Sequence, residues 1–237
     1  MLKDPRARVV VPALLSLAGM ASLMGTALWA STAQAATITV GGGCTLVDAI
    51  TGANAGTATG GCAAGTAGAG AAGADIIIIP ASTPVTLTVA DPSGNGSGLP
   101  TITSQMTIEG NGNTISRQSG SPSFRIFRVG AGGNLTLNNA TLSGGFGGGS
   151  GITVELGATA TLNNCTVSGG TNGAAVSANN ATLTLNNSTV AGNTSTNGAA
   201  GVSASSGATV TLNNSTVSGN SSTSTSGGGL TVISPST

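Results

Sequence analysis

A twelve-residue pattern that recurs four times restricts the fold of this chain more than any other feature. Residues 134–145, 159–170, 182–193 and 209–220 align without gaps, and each segment contains Thr-Leu-Asn-Asn. The shared leucines are 25, 23 and 27 residues apart, at Leu137, Leu162, Leu185 and Leu212. Apolar and polar residues alternate in each half-segment, which is typical of a short strand with one buried face. The Asn-Asn pair between the halves predicts a turn, because Asn tolerates the left-handed backbone conformation.

A third short strand is expected to complete each repeat. It starts after Gly or Ala at Ile152, Val176, Val202 and Leu230. Three strands and three bends make one coil, and stacked coils bury Leu on Leu with neighbouring strands about 4.8 Å apart. The alternative is a leucine-rich repeat, but the units after the first hold only one or two leucines, and all units hold many β-forming and turn residues. The sequence therefore predicts an all-β parallel β-helix with three short strands per coil.

The first 35 residues have the pattern of an export leader. Three basic residues lie within the first eight, an uncharged apolar run covers residues 9–30, and residues 33–35 are Ala-Gln-Ala. This pattern predicts cleavage between Ala35 and Ala36. A retained membrane anchor is the alternative, since the run is long enough to span a bilayer, but Pro12 and the scattered Gly and Ser argue against it. We expect an exported protein, extracellular or at the cell surface, with no membrane attachment after cleavage.

Residues 36–74 are predicted to form an N-terminal cap, followed by the β-helix over residues 75–237. Thr45 and Asp48 have the spacing of a helix capping box, and four apolar residues then share one helical face. These residues are Leu46, Ala49, Ile50 and Ala53. The short helix is expected to lie across the first coil. The run from Asp75 to Pro80 then predicts a strand covered on both faces, because its four central residues are all Ile.

The three cysteines have different predicted roles. Cys44 and Cys62 flank the cap helix, and in an exported protein we expect them to form a disulfide, with two free thiols as the alternative. Cys165 aligns with small residues of the other repeats, namely Ala140, Ser188 and Ser215. That alignment predicts a buried, free thiol that packs in the interior and does not react.

The cap also resembles a known family. Cys44-Thr-Leu-Val-Asp-Ala-Ile50, followed by Gly61-Cys62 and Ala74-Asp75-Ile76, is similar to the start of bacterial surface-associated proteins that open with Cys-Ser-Leu-Arg-Glu-Ala-Ile. Leu99-Pro100 and Met106-Thr-Ile-Glu-Gly110 resemble later parts of that pattern. Val47 and Asp48 depart from it, which changes the ion pairing of the cap. The resemblance implies export and a right-handed β-helix, and it implies little about activity.

Charge and residue content weigh against several function classes. Beyond the leader, the chain has five carboxylates, three arginines, and no Lys, His or Tyr. Three arginines can neutralise only a few phosphates. We therefore expect no nucleic-acid binding. Pectate lyases and polygalacturonases share the predicted fold, but glycosidic-bond cleavage needs placed carboxyl groups, and here no two lie within ten residues. Arg125 is predicted on the solvated face of a strand. We expect no catalytic residues, metal or cofactor.

The outward positions of the repeats form rows of hydroxyl groups. One row contains Thr136, Thr161, Thr184 and Thr211, a second contains Asn134, Thr159, Thr182 and Thr209, and a third contains Thr141, Thr166, Thr189 and Thr216. Such Thr-x-Thr arrays resemble the ice-binding surfaces of some antifreeze proteins. The simpler interpretation is that Thr suits exposed strand positions and pairs well with Thr on the next strand.

These features leave two leading function hypotheses. The first is a non-catalytic surface or adhesion module that presents a repetitive Thr, Asn and Ser face to a glycan or protein. The second is an ice-binding or water-ordering protein, and a polysaccharide lyase or hydrolase ranks third. The scarcity of aromatic side chains argues against a sugar-stacking site. Residues 227–233 begin a further coil that ends at Thr237, which predicts a truncated solenoid or self-association through Leu230 to Ile233.

Overall fold

The structure is a computed structural model that describes residues 35–66, 74–224 and 227–233. Within these residues it contains one helix, α1 (Leu46–Ala55), and twenty short strands. In chain order the strands are β1 (Thr37–Thr39), β2 (Asp75–Ile78), β3 (Val85–Leu87), β4 (Gln105–Glu109), β5 (Thr114–Arg117), β6 (Phe127–Val129), β7 (Asn134–Asn138), β8 (Thr141–Ser143), β9 (Ile152–Glu155), β10 (Thr159–Asn163), β11 (Thr166–Ser168), β12 (Val176–Asn179), β13 (Thr182–Asn186), β14 (Thr189–Ala191), β15 (Thr194–Ser195), β16 (Val202–Ser205), β17 (Thr209–Asn213), β18 (Thr216–Ser218), β19 (Ser221–Ser222) and β20 (Leu230–Ile233).

Three long parallel sheets run along the described chain, and β15 pairs with β19 in a separate two-stranded sheet. Sheet 1 has the order β1-β2-β4-β7-β10-β13-β17, sheet 2 the order β3-β5-β8-β11-β14-β18, and sheet 3 the order β6-β9-β12-β16-β20. From β4 onward, successive strands of sheet 1 are separated in sequence by a strand from each of the other two sheets. The chain therefore passes through all three sheets once per coil. The predicted all-β parallel β-helix with three strands per coil is confirmed.

The register of sheet 1 follows the repeat. The four shared leucines, Leu137, Leu162, Leu185 and Leu212, pair in line across β7, β10, β13 and β17. The first three are fully buried, so the stacked leucines form the core along this sheet. The strands of sheet 3 begin at Ile152, Val176, Val202 and Leu230, as the sequence predicts. Each coil therefore contributes the same inward positions to one continuous interior.

The bend between sheets 1 and 2 is made by the second residue of each Asn-Asn pair. Asn139, Asn164, Asn187 and Asn214 have φ angles of 51°, 53°, 48° and 47°. These values lie in the left-handed region, which Asn adopts at a lower cost than most residues that carry a side chain. The prediction of an Asn turn is confirmed, and it accounts for the recurrence of Asn at this position in these four coils.

The helix predicted in the cap is present as α1. Thr45 is the N-cap of α1, and its hydroxyl accepts a hydrogen bond from the backbone N–H of Asp48 at 3.1 Å. The predicted apolar face, Leu46, Ala49, Ile50 and Ala53, is buried. The side chain of Asn54 donates to the carbonyl of Thr101 (2.8 Å) and accepts from the N–H of Thr103 (2.9 Å), which holds the helix against a neighbouring loop. Within the described residues, no helix is long and apolar enough to cross a bilayer.

The disulfide between Cys44 and Cys62 is present, and Cys165 is free and buried. Most of the leader, residues 1–34, lies outside the described residues.

One expectation about the first coil is wrong. The strand at Asp75 was expected to be covered on both faces, but Ile76 is 36% exposed while Ile77 is fully buried. The exposed residue pairs with Thr107 of β4, and so lies on the outer face of sheet 1. The continuous apolar run therefore forms a strand with one buried face, and its outward residue Ile76 reaches solvent.

The inward and outward assignment can be tested with two adjacent positions of β13. Leu185 is fully buried, whereas Thr184 is partly exposed on the outer face. Leu185→Asn should lower the free energy of unfolding by about 2–4 kcal/mol, because it places an amide without partners in the stack. Thr184→Asn should change it by less than about 0.5 kcal/mol. Chemical denaturation of both variants checks this, and equal losses would contradict the assignment.

Candidate functional site

The outer face of sheet 1 is the most regular surface of the described chain. Its central column contains the predicted threonines Thr136, Thr161, Thr184 and Thr211 in line. Thr107 of β4 pairs with Thr136 and extends this column to five threonines. Sequence comparison missed Thr107, because β4 lacks the Leu-Asn-Asn pattern, although its Met-Thr-Ile alternation is a signal that could have found it.

A second column runs beside the first on the same face. It consists of Gln105, Asn134, Thr159, Thr182 and Thr209. Neighbouring strands lie about 4.8 Å apart, and alternate residues of one strand lie roughly 6.6 Å apart. The two columns therefore place hydroxyl and amide groups on a two-dimensional grid. Three consecutive strands, β10, β13 and β17, each present Thr-x-Thr on this grid.

A third column on this face is a hydrogen-bonded ladder of asparagines. Each side-chain amide donates to a side-chain oxygen of the preceding coil. The Asn138 amide lies 2.7 Å from the carboxylate of Glu109. The next three steps, Asn163 to Asn138, Asn186 to Asn163 and Asn213 to Asn186, each measure 2.8 Å. The ladder fixes the orientation of every amide. Each amide carries two N–H donors, and the ladder uses only one of them. The sequence predicted these residues only as part of a turn.

The corresponding positions of sheet 2 carry the third predicted row. Thr141, Thr166, Thr189 and Thr216 pair in line, and Thr114 of β5 extends the row by one coil. These threonines share the residue type and strand geometry of the sheet 1 columns, but their row has Ser or Ala beside it and no asparagine ladder. They therefore provide matched control positions for the outer face of sheet 1.

The five described carboxylates all take part in local structure. They are Asp48, which accepts a hydrogen bond from the N-cap hydroxyl of Thr45, Asp75 in hydrogen bonds with Ala36 and Thr66, Asp91 in a turn with Ser93 and Asn95, Glu109 in the asparagine ladder, and Glu155 in an ion pair with Arg128. Among the residues that the structure describes, no three potential metal ligands form a cluster. Each carboxylate thus has a structural role where it stands.

Arg125 does not lie on a solvated face, so that expectation is wrong. The strand begins only at Phe127, and Ile126 and Phe127 are both fully buried, which breaks the expected alternation. The guanidinium of Arg125 is partly buried, and its Nη1 donates to the hydroxyl of Thr153 at 3.0 Å. Loss of solvent lowers the pKa of this group from its ordinary value. Arg125 therefore ties adjacent coils together.

A groove on the corner between sheets 2 and 3 was also missed from the sequence. It has a volume of about 420 Å³, and Phe146, Thr171, Thr194 and Ser221 lie in line along it. The guanidinium carbon of Arg117 lies 5.9 Å from the centroid of the Phe146 ring. The scarcity of aromatic residues argued against a sugar-stacking site, yet Phe146 is partly exposed and lines this groove.

Comparison with known proteins decides the family. A family model described as a right-handed β-helix region matches residues 76–237. The chain belongs to the right-handed β-helix family. The handedness of this β-helix agrees with the resemblance noted in its cap. No curated protein and no solved structure matches the chain.

The interior of this β-helix contains a column of small polar residues at the Asn turn. The Cys165 thiol donates to the carbonyls of Asn163 (3.3 Å) and Leu137 (3.4 Å). The Ser188 hydroxyl makes the equivalent bonds one coil later, to the carbonyls of Asn186 (2.9 Å) and Leu162 (3.1 Å). Burial raises the pKa of the Cys165 thiol to about 11. The thiol is thus a structural donor and stays protonated at neutral pH.

This assignment predicts a pH dependence that a single substitution removes. Cys165→Ser should retain the fold, because Ser already occupies the same position in the next coil. Between pH 9 and about 11 the unfolded thiol ionises while the folded thiol stays largely neutral, so the wild type should lose about 2 kcal/mol of stability relative to Cys165→Ser. Urea unfolding of both proteins across this range measures the difference. Parallel pH profiles would contradict the assignment.

Proposed function

We propose that this chain is an exported, non-catalytic surface protein that binds an extended, uncharged polysaccharide through the outer face of sheet 1. The observation that carries the proposal is the unbroken register, from β7 to β17, of three columns that are uncharged over these strands, two of Thr-rich positions and one of asparagines. Hydroxyl and amide groups at fixed spacing match a ligand that repeats its own hydroxyl groups. The resemblance of the cap to bacterial surface-associated proteins supports the same location.

The chemistry of the face favours a glycan over a protein partner. The buried centres of protein interfaces are enriched in aromatic residues, Met and Arg, and truncating a few such residues costs most of the affinity. The columns around Thr136, Thr161 and Thr184 contain none of these residues. Each coil offers only weak hydrogen bonds, but a long ligand engages many coils at once, and linked contacts raise the overall affinity.

We also propose that the chain is not a catalyst, because its charged side chains already make structural contacts. Acid–base cleavage of a sugar chain requires two carboxyl groups placed around one bond. Here Glu109 anchors the asparagine ladder, Glu155 pairs with Arg128, and the sequence contains no His. Family membership does not decide the question, because one fold supports many functions.

The binding face can be tested with two threonines of the same coil. Thr161 lies in the central column of sheet 1, and Thr166 lies on sheet 2, five residues later, with similar partial exposure. Thr161→Lys should reduce binding to insoluble cellulose, chitin or starch by about tenfold or more, because it places a long, charged side chain in the middle of the grid. Thr166→Lys should leave binding unchanged.

Co-sedimentation of both variants and the wild type measures this effect. A wild type that binds none of the three polysaccharides, or equal losses in both variants, would contradict the proposed face. Phe146→Ala provides a further comparison, since a selective loss in that variant would move the site to the corner groove.

Ice or surface-water ordering is the second candidate. The specific observation in its favour is the in-register Thr-x-Thr pattern on β10, β13 and β17. The same two variants apply to a thermal-hysteresis measurement. Hysteresis that is lost in Thr161→Lys and retained in Thr166→Lys, together with no polysaccharide binding, would favour this candidate over the first.

Export and self-association are further parts of the proposal. The Cys44–Cys62 disulfide supports an oxidising compartment, since such bonds persist mainly outside the cytoplasm. In the last described coil, Leu230, Val232 and Ile233 are more than half exposed. Apolar side chains on a strand at the end of a sheet favour pairing with another chain, so self-association through β20 stays a prediction.

A further inference from the structure

A single charged side chain interrupts an apolar column in the interior of sheet 1. The residues in register at this position are Asp75, Met106, Leu135, Ala160, Leu183 and Val210. Asp75 is only 1% exposed. A carboxylate removed from water is costly unless hydrogen bonds satisfy its oxygens and a cation balances its charge. Asp75 therefore needs partners that satisfy its oxygens and balance its charge.

The partners of Asp75 come from two segments of the cap. Its Oδ1 accepts a hydrogen bond from the backbone N–H of Ala36 at 2.9 Å and one from the hydroxyl of Thr66. Its Oδ2 accepts from the backbone N–H of Thr66 at 2.8 Å. These donors are neutral in the uncleaved chain, and the described residues contain no ion pair to Asp75. The oxygens are thus satisfied, but the negative charge is not balanced.

Ala36 is also the residue that follows the predicted leader cleavage site. Its carbonyl accepts a hydrogen bond from the N–H of Ile76 at 2.7 Å, and β1 starts at the next residue and pairs with β2. The nitrogen of Ala36 is therefore held at the Asp75 carboxylate by the pairing of the first two strands.

We propose that cleavage between Ala35 and Ala36 creates an α-ammonium group that forms an ion pair with the buried carboxylate of Asp75. The step is a hydrolysis by the peptidase that removes export leaders. One water is consumed: the carbonyl carbon of Ala35 gains the hydroxyl, and the nitrogen of Ala36 keeps the bonding electrons and takes up protons. The inference rests on the export part of the proposed function and is independent of the polysaccharide face.

The packing around Asp75 strengthens such an ion pair. Gly65 precedes Thr66 in the loop that follows the disulfide, and a Cβ at this position would lie 2.6 Å from Asp75 Oδ2 and 2.8 Å from the carbonyl of Gly52. Only Gly allows the loop to close this tightly over the carboxylate. Exclusion of water increases the attraction between opposite charges. Processing would therefore lock β1, the disulfide loop and β2 together.

The amine chemistry of the processed chain allows a direct test. The only Lys of the sequence, Lys3, lies in the leader, so the processed protein has a single primary amine, the α-amino group of Ala36. The full chain is exported from a bacterial host, and its N-terminus is identified by mass spectrometry. The folded protein and its guanidinium-denatured form are then treated with an acetylating N-hydroxysuccinimide ester. We expect a chain that starts at Ala36, and acetylation about ten times slower in the folded protein.

Two variants give the control. Asp75→Asn should restore rapid acetylation in the folded protein, whereas Asp91→Asn, in an exposed turn, should not. A chain that still starts at Met1 would overturn both export and the ion pair. A different processed N-terminus, or equal rates for folded and denatured wild type, would overturn only the ion pair. The wild-type comparison decides the matter even if Asp75→Asn does not fold.

Discussion

The in-register stacking of parallel coils is the constraint on which the whole structure depends. A strand in this fold cannot satisfy its backbone groups within its own coil, so each N–H and carbonyl must bond to the coil before or after it. Side chains at one position then lie directly above their equivalents, as the leucines from Leu137 to Leu212 do. Repetition in the sequence is the direct consequence, because a position that suits one coil suits the next.

The turns between the sheets are stabilised by side-chain hydrogen bonds that also repeat from coil to coil. At each Asn turn the chain leaves the sheet, and interior side chains donate to the carbonyls on either side of the bend. Cys165, Ser188 and Ser215 supply small donors that bond to these carbonyls, and the Asn193 amide does the same at the next corner, with bonds to Val167 and Ala191. The interior polar groups at these two corners are thus satisfied coil by coil, which helps a chain with few bulky side chains to remain ordered.

Repetition also explains which features the sequence could predict. The sheets, the register, the Asn turns and the sheet 1 columns repeat, so several copies support each inference. Ile76, Arg125 and Phe146 occur once, and their surroundings depend on neighbours that no repeat specifies. Ile76 faces outward because β2 alternates like its neighbours, Arg125 contacts Thr153 of the next coil, and Phe146 opens a row that the later coils fill with Thr and Ser. Such contacts follow only from three-dimensional stacking.

The distribution of charge determines what kind of recognition this solenoid can support. Beyond Glu155 the sequence contains no charged residue, so the polar groups that the later coils present are hydroxyl, amide and backbone groups. An uncharged face cannot steer a ligand over long distances, and its binding should vary little with salt. Affinity for the proposed polysaccharide must then come from the number of short contacts made at once, which increases with the number of coils in register. A stiff, repetitive scaffold serves that requirement, because its groups are already ordered before the ligand arrives.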